Sequence, residues 1–254
     1  MAGKKKKAEG EKPRPRKAAR KSNDEGQVLA ANKPPARTKR KIDMALKTIP
    51  VQERSRLTYD AILAAASSSL AEVGIDRFNI NLICERAELT PPAIYRYFPN
   101  KYAILKALGS RLMEKQDAAV FAWIRNDGLV AATVKEAVEK SIQIQERVNA
   151  ITREEPGGIW IMRAMRSIQV LRDIRVRSRN KVADAFYAAL RDTYKDVPER
   201  LLRIATRLTI EVGYAATEMV LEEPRHSPDL ITQELSWMQT LYFTGLARYA
   251  RKDR

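Results

Sequence analysis

Apolar residues recur at intervals of three and four along most of the chain after residue 50, which is the spacing that places them on one face of a helix. Ile62, Leu63, Ala66 and Leu70 follow this spacing and predict a first helix over residues 56–73. Gly74 comes next, where a residue with a left-handed backbone can end a helix. No alternating strand pattern interrupts the series, so the pattern predicts an all-α protein.

A short second helix is predicted over residues 80–87, with Asn79 as its N-cap. The stretch LTPPAIYRYFPNKYAIL follows it. Thr90 is a suitable N-cap, and Pro91 and Pro92 fall in the first helical turn, where a missing N–H does no harm. The two prolines therefore start a third helix instead of breaking one.

This third helix is expected to stop at Phe98, because the residue before Pro99 is pushed away from α geometry. Asn100 then caps a fourth helix over residues 101–124. Two short helices joined by a tight turn are typical of a helix-turn-helix.

Five or six more helices are predicted in the remaining 130 residues, separated by breaks at 126–128, 155–158, 196–198 and 223–228. The last two, over residues 199–222 and 228–250, are long. The first of these is apolar on more than one side, which predicts burial against its own domain and against a partner subunit.

The net charge of +16 is concentrated near the start of the chain, where residues 1–42 hold 15 Lys or Arg and four Asp or Glu. This segment has no apolar periodicity, so we interpret it as a disordered basic tail. The predicted organisation is a tail over 1–50, a helix-turn-helix domain over 51–105, and a ligand-binding and dimerisation domain over 106–254.

The sequence contains few of the residues that catalytic and metal sites commonly use. The chain has one cysteine, Cys84, and one histidine, His226, which leaves no Cys/His metal site and no His-based triad. We therefore expect no enzyme, no metal and no cofactor. No secretory signal and no membrane span is evident, so a cytoplasmic location is expected.

The second helix of a helix-turn-helix enters the major groove by its N-terminal part. Small residues at that position can approach base edges, whereas hydroxyl and guanidinium groups suit phosphates. The predicted DNA contacts are Asn79, Thr90, Pro91, Pro92, Ala93, Tyr95, Arg96, Tyr97 and Lys101, with Ile94 and Phe98 expected in the core.

The run FNINLICERAELTPPAIYRYFPNKYAIL resembles the DNA-binding domain of the TetR family of bacterial transcriptional repressors. The residues that fall on the family pattern are Ile83, Ala87, Thr90, Ile94, Tyr95, Phe98 and Lys101. The preceding ILAAASSSLAEVGIDRF is similar to the family's first helix, so the resemblance covers about 60 residues. Asn79, Cys84 and Glu88 depart from it, at positions where the family has Thr, Ala and the turn Gly.

The resemblance implies a C-terminal helical domain, a homodimer through the last two helices, and a pocket for a small-molecule effector of unknown identity. The dimer would bind an inverted-repeat operator of double-stranded DNA through its two DNA-binding domains. Ligand binding would change the spacing of these two domains and release the DNA. The resemblance therefore implies that the protein is a transcriptional repressor. The alternative is a nucleoid-associated DNA-binding protein whose basic tail dominates binding.

Several aromatic and Met residues are candidates for the pocket, although each is more often plain core: Phe121, Trp123, Trp160, Met162, Met165, Phe186 and Tyr187. Trp160 and Tyr187 are singled out as ligand contacts. The run RDIRVRSRNK over 172–181 is interpreted as a solvated helix face instead of an anion or partner site. Cys84 is interpreted as a small buried hydrophobe in preference to a redox switch, and His226 as a solvated turn residue.

The tail sequence KPRPRK resembles arms that lie in AT-rich minor grooves, with Arg14, Arg16 and Lys17 as the contacts. Non-specific release of counterions from DNA is the preferred interpretation. Deletion of residues 2–41 is then expected to flatten the salt dependence of DNA binding while leaving sequence preference intact.

Overall fold

The computed structural model describes Asp43 and residues 52–252, with side chains up to residue 246. The basic tail, including Arg14, Arg16 and Lys17, lies outside the described residues. Throughout the described part the chain is helical and without strands, so the all-α prediction is confirmed. Its helices are α1 (Glu53–Arg77), α2 (Ile80–Ala87), α3 (Pro91–Tyr95), α4 (Lys101–Arg125), α5 (Val134–Glu154), α6 (Gly158–Ser167), α7 (Arg172–Leu190), α8 (Glu199–Glu222) and α9 (Pro228–Lys252), with a 3₁₀ turn at Gln169–Leu171.

Local caps place several of these helices as the sequence predicts. The Asn79 side chain accepts a hydrogen bond from the Leu82 amide at the start of α2. Asn100 accepts from the Tyr102 and Ala103 amides at the start of α4. These bonds satisfy amide groups that have no partner within their own helix.

Two helix ends differ from the prediction. Gly74 has a positive φ of 69°, but its ψ of −176° is extended, so α1 is kinked there and resumes for one more turn. The third helix ends at Tyr95, three residues before Phe98, and continues as a turn. It therefore has five residues and depends on its neighbours for stability.

One hydrophobic core extends from α1 through α4 to α7 and α8. The helix α4 is a long link within this core: its 25 residues span about 37 Å. It contacts α1 of the N-terminal part as well as α5, α6 and α7. The helix α4 therefore connects the N-terminal and C-terminal parts of the core.

The helices α8 and α9 leave large apolar side chains exposed. Members of this set are Ile204, Leu208 and Met219 on α8, and Leu230, Met238, Leu241 and Tyr242 on α9. Other residues of the two helices are buried within the chain, among them Leu202 and Ala205 on α8 and Leu246 on α9. A helix that is apolar on its outer side as well as its inner side is suited to a second partner.

Within residues 52–252, no helix is long and apolar enough to cross a membrane.

Candidate nucleic-acid interface and cavity

The turn between α2 and α3 is tight and carries a backbone conformation that glycine usually supplies. Glu88 caps α2 with φ 52° and ψ 39°, in the left-handed region. The Leu89 amide donates to the Cys84 carbonyl at 3.0 Å, which closes the turn. A glutamate here is strained because its Cβ approaches the following backbone.

The helix α3 is held by two buried anchors and exposes the rest of its surface. Ile94 and Phe98 are fully buried, as predicted. Pro91 and Pro92 are exposed in the first turn, Ala93 is partly exposed, and Tyr95 keeps 42% of its surface exposed. Arg96 is also exposed. The N-terminal part of α3 is thus presented to the outside on a rigid base.

Thr90 occupies the N-cap position of α3, but its side chain makes no capping hydrogen bond. Thr90 is exposed, so this hydroxyl is placed at the rim of the presented surface. Asn79 is exposed as well, although both ends of its amide are engaged: it accepts from Leu82 and donates from Nδ2 to the Arg77 carbonyl at 2.9 Å. Its main role in this structure is to cap α2.

Tyr97 is a correction to the predicted contact set. Its side chain is only 3% exposed, and its ring meets the ring of Tyr59 edge-on at 6.3 Å. Tyr59 in turn stacks on Phe98 at 5.1 Å. The turn after Tyr95 directs Tyr97 into this aromatic cluster, so Tyr97 supports the interface from below.

Lys101 has a structural partner that its sequence context does not reveal. Its Nζ donates to the Phe78 carbonyl at 3.1 Å, at the end of α1. This bond fixes the start of α4 to the end of α1. Lys101 is half-buried, and its predicted phosphate contact stays a prediction.

A cavity of about 390 Å³ lies in the C-terminal helices, between α4, α5, α7, α8 and α9. Trp123 and Phe186, two of the candidate aromatics, line it and lie 5.9 Å apart between ring centroids. Gln145, Tyr214 and Gln239 line its polar side. This size is within the range of small-molecule sites.

Trp160 and Tyr187, the two predicted ligand contacts, are not among the lining residues. Trp160 lies against the kink of α1: a Cβ added to Gly74 would meet its ring at 3.2 Å. Tyr187 lies under the guanidinium of Arg203, at 3.8 Å from the ring centroid. Both are helix-packing residues outside the wall of this cavity, and their roles as ligand contacts stay predictions.

The arginine run on α7 is also only partly the solvated face that was predicted. Arg172 and Arg177 are exposed, but the Arg179 side chain is only 4% exposed. Arg179 pairs with Glu211 of α8 and lies 4.6 Å from the Tyr214 ring centroid. Burial lowers the pKa of Arg179 to about 10, against the attraction of Glu211, so it stays charged at neutral pH.

Sequence reasoning missed Gln145 and Gln239 as site residues. A signal was present on α5, where Ser141, Ile144, Gln145 and Val148 share one face at helical spacing. A glutamine on an inward face needs a partner, and here its Nε2 lies 2.8 Å from Thr217 Oγ1 and 3.2 Å from the Gly213 carbonyl.

The two singular residues keep the roles assigned from sequence. Cys84 packs partly buried against the core, and burial raises the pKa of its thiol, which disfavours the reactive thiolate. His226 is exposed in a turn, 3.5 Å from Glu223.

A family model for bacterial regulatory proteins of the tetR family matches residues 62–108, which cover most of α1, all of α2 and α3, and the first turns of α4. The resemblance noted in the sequence is confirmed over this range. A search of curated proteins found no match.

Solved structures share the fold at low sequence identity. A TetR-family transcriptional regulator from Syntrophomonas wolfei has a TM-score of 0.57 at 14% identity, covering 75% of this chain and 97% of its own. SmeT, the repressor of a Stenotrophomonas maltophilia multidrug efflux pump, has 0.52 at 19%, covering 72% and 88%. RolR in complex with resorcinol has 0.50 at 19%, covering 78% and 92%. These likenesses establish an N-terminal helix-turn-helix and a C-terminal helical domain.

Proposed function

We propose that this chain, a TetR-family protein by its helix-turn-helix domain and by its fold, is a dimeric, ligand-responsive transcriptional repressor. It acts in the cytoplasm on an inverted-repeat operator. The single observation that carries the proposal is the exposed first turn of α3, fixed on the fully buried Ile94 and Phe98. A DNA-reading helix needs this combination of presentation and rigidity.

Contacts to DNA divide between base edges and phosphates. Pro92 and Ala93 at the start of α3 are small and accessible enough to meet a thymine methyl group. The Tyr95 hydroxyl and the Arg96 guanidinium suit phosphate oxygens or a base edge. Thr90 adds a hydroxyl beside the α3 amide groups, which supports a phosphate contact.

Dimerisation through α8 and α9 is supported by their exposed apolar faces. Leu208, Met238 and Leu241 are each more than half exposed in the single chain. A twofold dimer buries the same face of both subunits and places two copies of α3 on one side of DNA. Heads in successive major grooves are then about 34 Å apart.

Ligand response is supported by the position of α4, which extends from the cavity to the helix-turn-helix. Val120 and Trp123 near its C-terminal end line the cavity, and Lys101 at its N-terminal end is bonded to the end of α1. A ligand that displaces Trp123 moves a helix whose other end adjoins α3. RolR, which has a similar fold, is a complex with resorcinol, and SmeT is a repressor.

The test is DNA binding by the full chain with changes at Tyr95. Replacement Tyr95→Ala is expected to weaken binding to an enriched genomic fragment by about 10- to 100-fold, the loss of one specific contact. Tyr95→Phe separates the hydroxyl from the ring, and Glu139→Ala on α5 is the control away from the interface. Because Tyr95 is 42% exposed, its loss leaves the core filled. Equal affinity of Tyr95→Ala and the parent protein would refute the assignment of α3.

A further inference from the structure

The cavity lining has an unusual charge distribution for a protein that is strongly basic. Among the described residues that line it, none is Asp, Glu, Lys, Arg or His. The polar groups there are the amides of Gln145 and Gln239 and hydroxyl groups of Ser, Thr and Tyr. The side chains that line the cavity therefore present dipoles and apolar groups and no formal charge.

These dipoles are largely engaged with one another. Gln239 accepts from Ser141 Oγ at 3.2 Å through Oε1, and its Nε2 donates to the Thr209 carbonyl at 3.1 Å. The Nε2 of Gln145 donates towards Gly213 and Thr217. Because these polar groups already bond to each other, few free hydrogen-bond donors and acceptors remain in the cavity wall to solvate an ion.

The tyrosines in the lining stay neutral at physiological pH. Burial raises the pKa of Tyr214 to about 12, and burial also raises the pKa of Tyr194. The nearest buried cation, Arg179, lies against the Tyr214 ring and is already paired with Glu211. Nothing in the described wall offers a counter-charge to a ligand that carries one.

The apolar end of the cavity is aromatic. Trp123 and Phe186 are tilted by 31° at one side, and Tyr194 and Phe243 meet edge-on at 5.7 Å at another. These four aromatic rings in the lining suit a flat aromatic ligand, which they can contact by stacking or edge-on.

We propose that this cavity binds an uncharged, mostly apolar molecule with an aromatic ring, and that it rejects anions and cations of the same shape. The inference rests on the ligand-responsive function proposed above and names the class of its effector. Its physical basis is desolvation: transfer of an ion into a cavity without a counter-charge is costly, whereas a neutral group loses little.

Three probes of nearly identical shape isolate the charge. 2-Naphthamide is neutral, 2-naphthoate is an anion, and 2-naphthamidine is a cation at pH 7. Their affinities for the full-length protein are measured by isothermal titration calorimetry. The amide is expected to bind at least about tenfold more tightly than either ion, which corresponds to about 1.4 kcal/mol. Equal or tighter binding of either ion overturns the proposal, and so does failure of the amide to bind up to its solubility limit.

Thr240, a lining residue on α9, provides a matched pair of variants. Thr240→Asp introduces a carboxylate and is expected to reverse the order, so that the amidine binds better than the amide. Thr240→Asn has nearly the same shape without the charge and is expected to keep the order of the parent protein. A variant Ala137→Trp, which fills space in the lining, is expected to abolish binding of the amide; undiminished binding would place the probe elsewhere and overturn the assignment to this cavity.

Failure of this inference and failure of the proposed function are separable. The calorimetry contains no DNA, so the order of the three probes does not depend on operator binding. A protein that binds its operator but prefers an ion keeps the regulator function and loses the ligand class. A protein that prefers the amide but binds no specific DNA keeps the ligand class and loses the regulator function.

Discussion

At the scale of single residues, the presented surface of α3 depends on one strained position. Glu88 holds the left-handed conformation that sets the angle between α2 and α3. An L-residue with a side chain loses about 1–2 kcal/mol there, relative to the right-handed conformation. Such strain persists where the surrounding packing fixes the backbone, as the buried Ile83 and Ile94 do on either side.

Replacement Glu88→Gly is therefore expected to raise the free energy of unfolding by about 1 kcal/mol, measured by urea denaturation. Glu88→Ala is the matched control, because it removes the carboxylate but keeps the Cβ that causes the strain. A gain of equal size with Ala would mean that the side-chain charge, not the backbone conformation, is the unfavourable element.

The buried carboxyl of Asp117 on α4 is expected to make the stability of the protein depend on pH. It is 6% exposed, and it accepts a hydrogen bond from Ser178 at 2.6 Å. Burial raises the pKa of Asp117, and Glu114 raises it further, whereas the Ser178 bond and the charge of Lys181 lower it. The net effect is a folded-state pKa above the unfolded one, so the protonated carboxyl stabilises the fold at low pH and this contribution is lost as the pH rises through the folded-state pKa.

The variant Asp117→Asn cannot ionise and keeps an acceptor for Ser178. Its stability relative to the parent protein is expected to increase from acid pH towards neutral pH, measured as the difference in free energy of unfolding between pH 4 and pH 7. A difference that shrinks as the pH rises would show that the Ser178 bond and Lys181 outweigh the cost of burial.

At the scale of elements, the loop before α6 locks onto α1. The Ser67 hydroxyl donates to the Pro156 carbonyl at 2.6 Å. Gly157 has a φ of +66°, and a Cβ added there would lie 2.9 Å from the Ser67 carbonyl oxygen and 3.0 Å from the Ala71 amide nitrogen. Trp160, three residues on, packs over the kink at Gly74. These contacts tie the first helix of the DNA-binding part to the C-terminal helices.

Replacement Gly157→Ala is expected to lower the free energy of unfolding by about 2 kcal/mol or more, since both the conformation and the contact with backbone atoms oppose a Cβ. Gly157→Asn distinguishes the two causes. Asparagine tolerates the left-handed conformation but still carries a Cβ, so little rescue is expected. Full rescue by Asn in thermal unfolding would show that the close approach of the two backbones is unimportant.

Local features of the fold could be predicted from the sequence, whereas contacts between distant residues could not. The caps at Asn79 and Asn100 and the start of α3 at Pro91 could be predicted, because each depends on neighbours within four residues. The burial of Tyr97 could not, since it depends on Tyr59 from α1. The position of Trp160 and Tyr187 outside the cavity wall could not be predicted for the same reason: aromatic residues show a preference for the interior, but only tertiary packing decides which interior surface they meet.

At the scale of the whole molecule, the proposed dimer covers the exposed apolar side chains of α8 and α9. Leu241 is 54% exposed and is one of the exposed apolar side chains of α9. A glutamate there would be buried without a partner in the dimer. Leu241→Glu is expected to convert the protein from a dimer to a monomer of 28.9 kDa in sedimentation velocity.

The control for this change is Leu57→Glu on α1, where the leucine is 67% exposed and lies outside that face. It is expected to leave the protein dimeric. Dissociation by Leu57→Glu, or a dimer that survives Leu241→Glu, would contradict the assignment of the interface to α9.

The central claim is that α3 reads a specific inverted repeat, and it is tested most directly by enrichment and sequencing of sheared genomic DNA. The full-length protein, a variant lacking residues 2–41, and Tyr95→Ala are compared. We expect the first two to enrich the same few fragments, which share one inverted repeat. The tail deletion is expected to flatten the salt dependence, and Tyr95→Ala to lose the enrichment. Broad enrichment by the full-length protein alone would contradict the central claim and assign DNA binding to the basic tail, as in a nucleoid-associated protein.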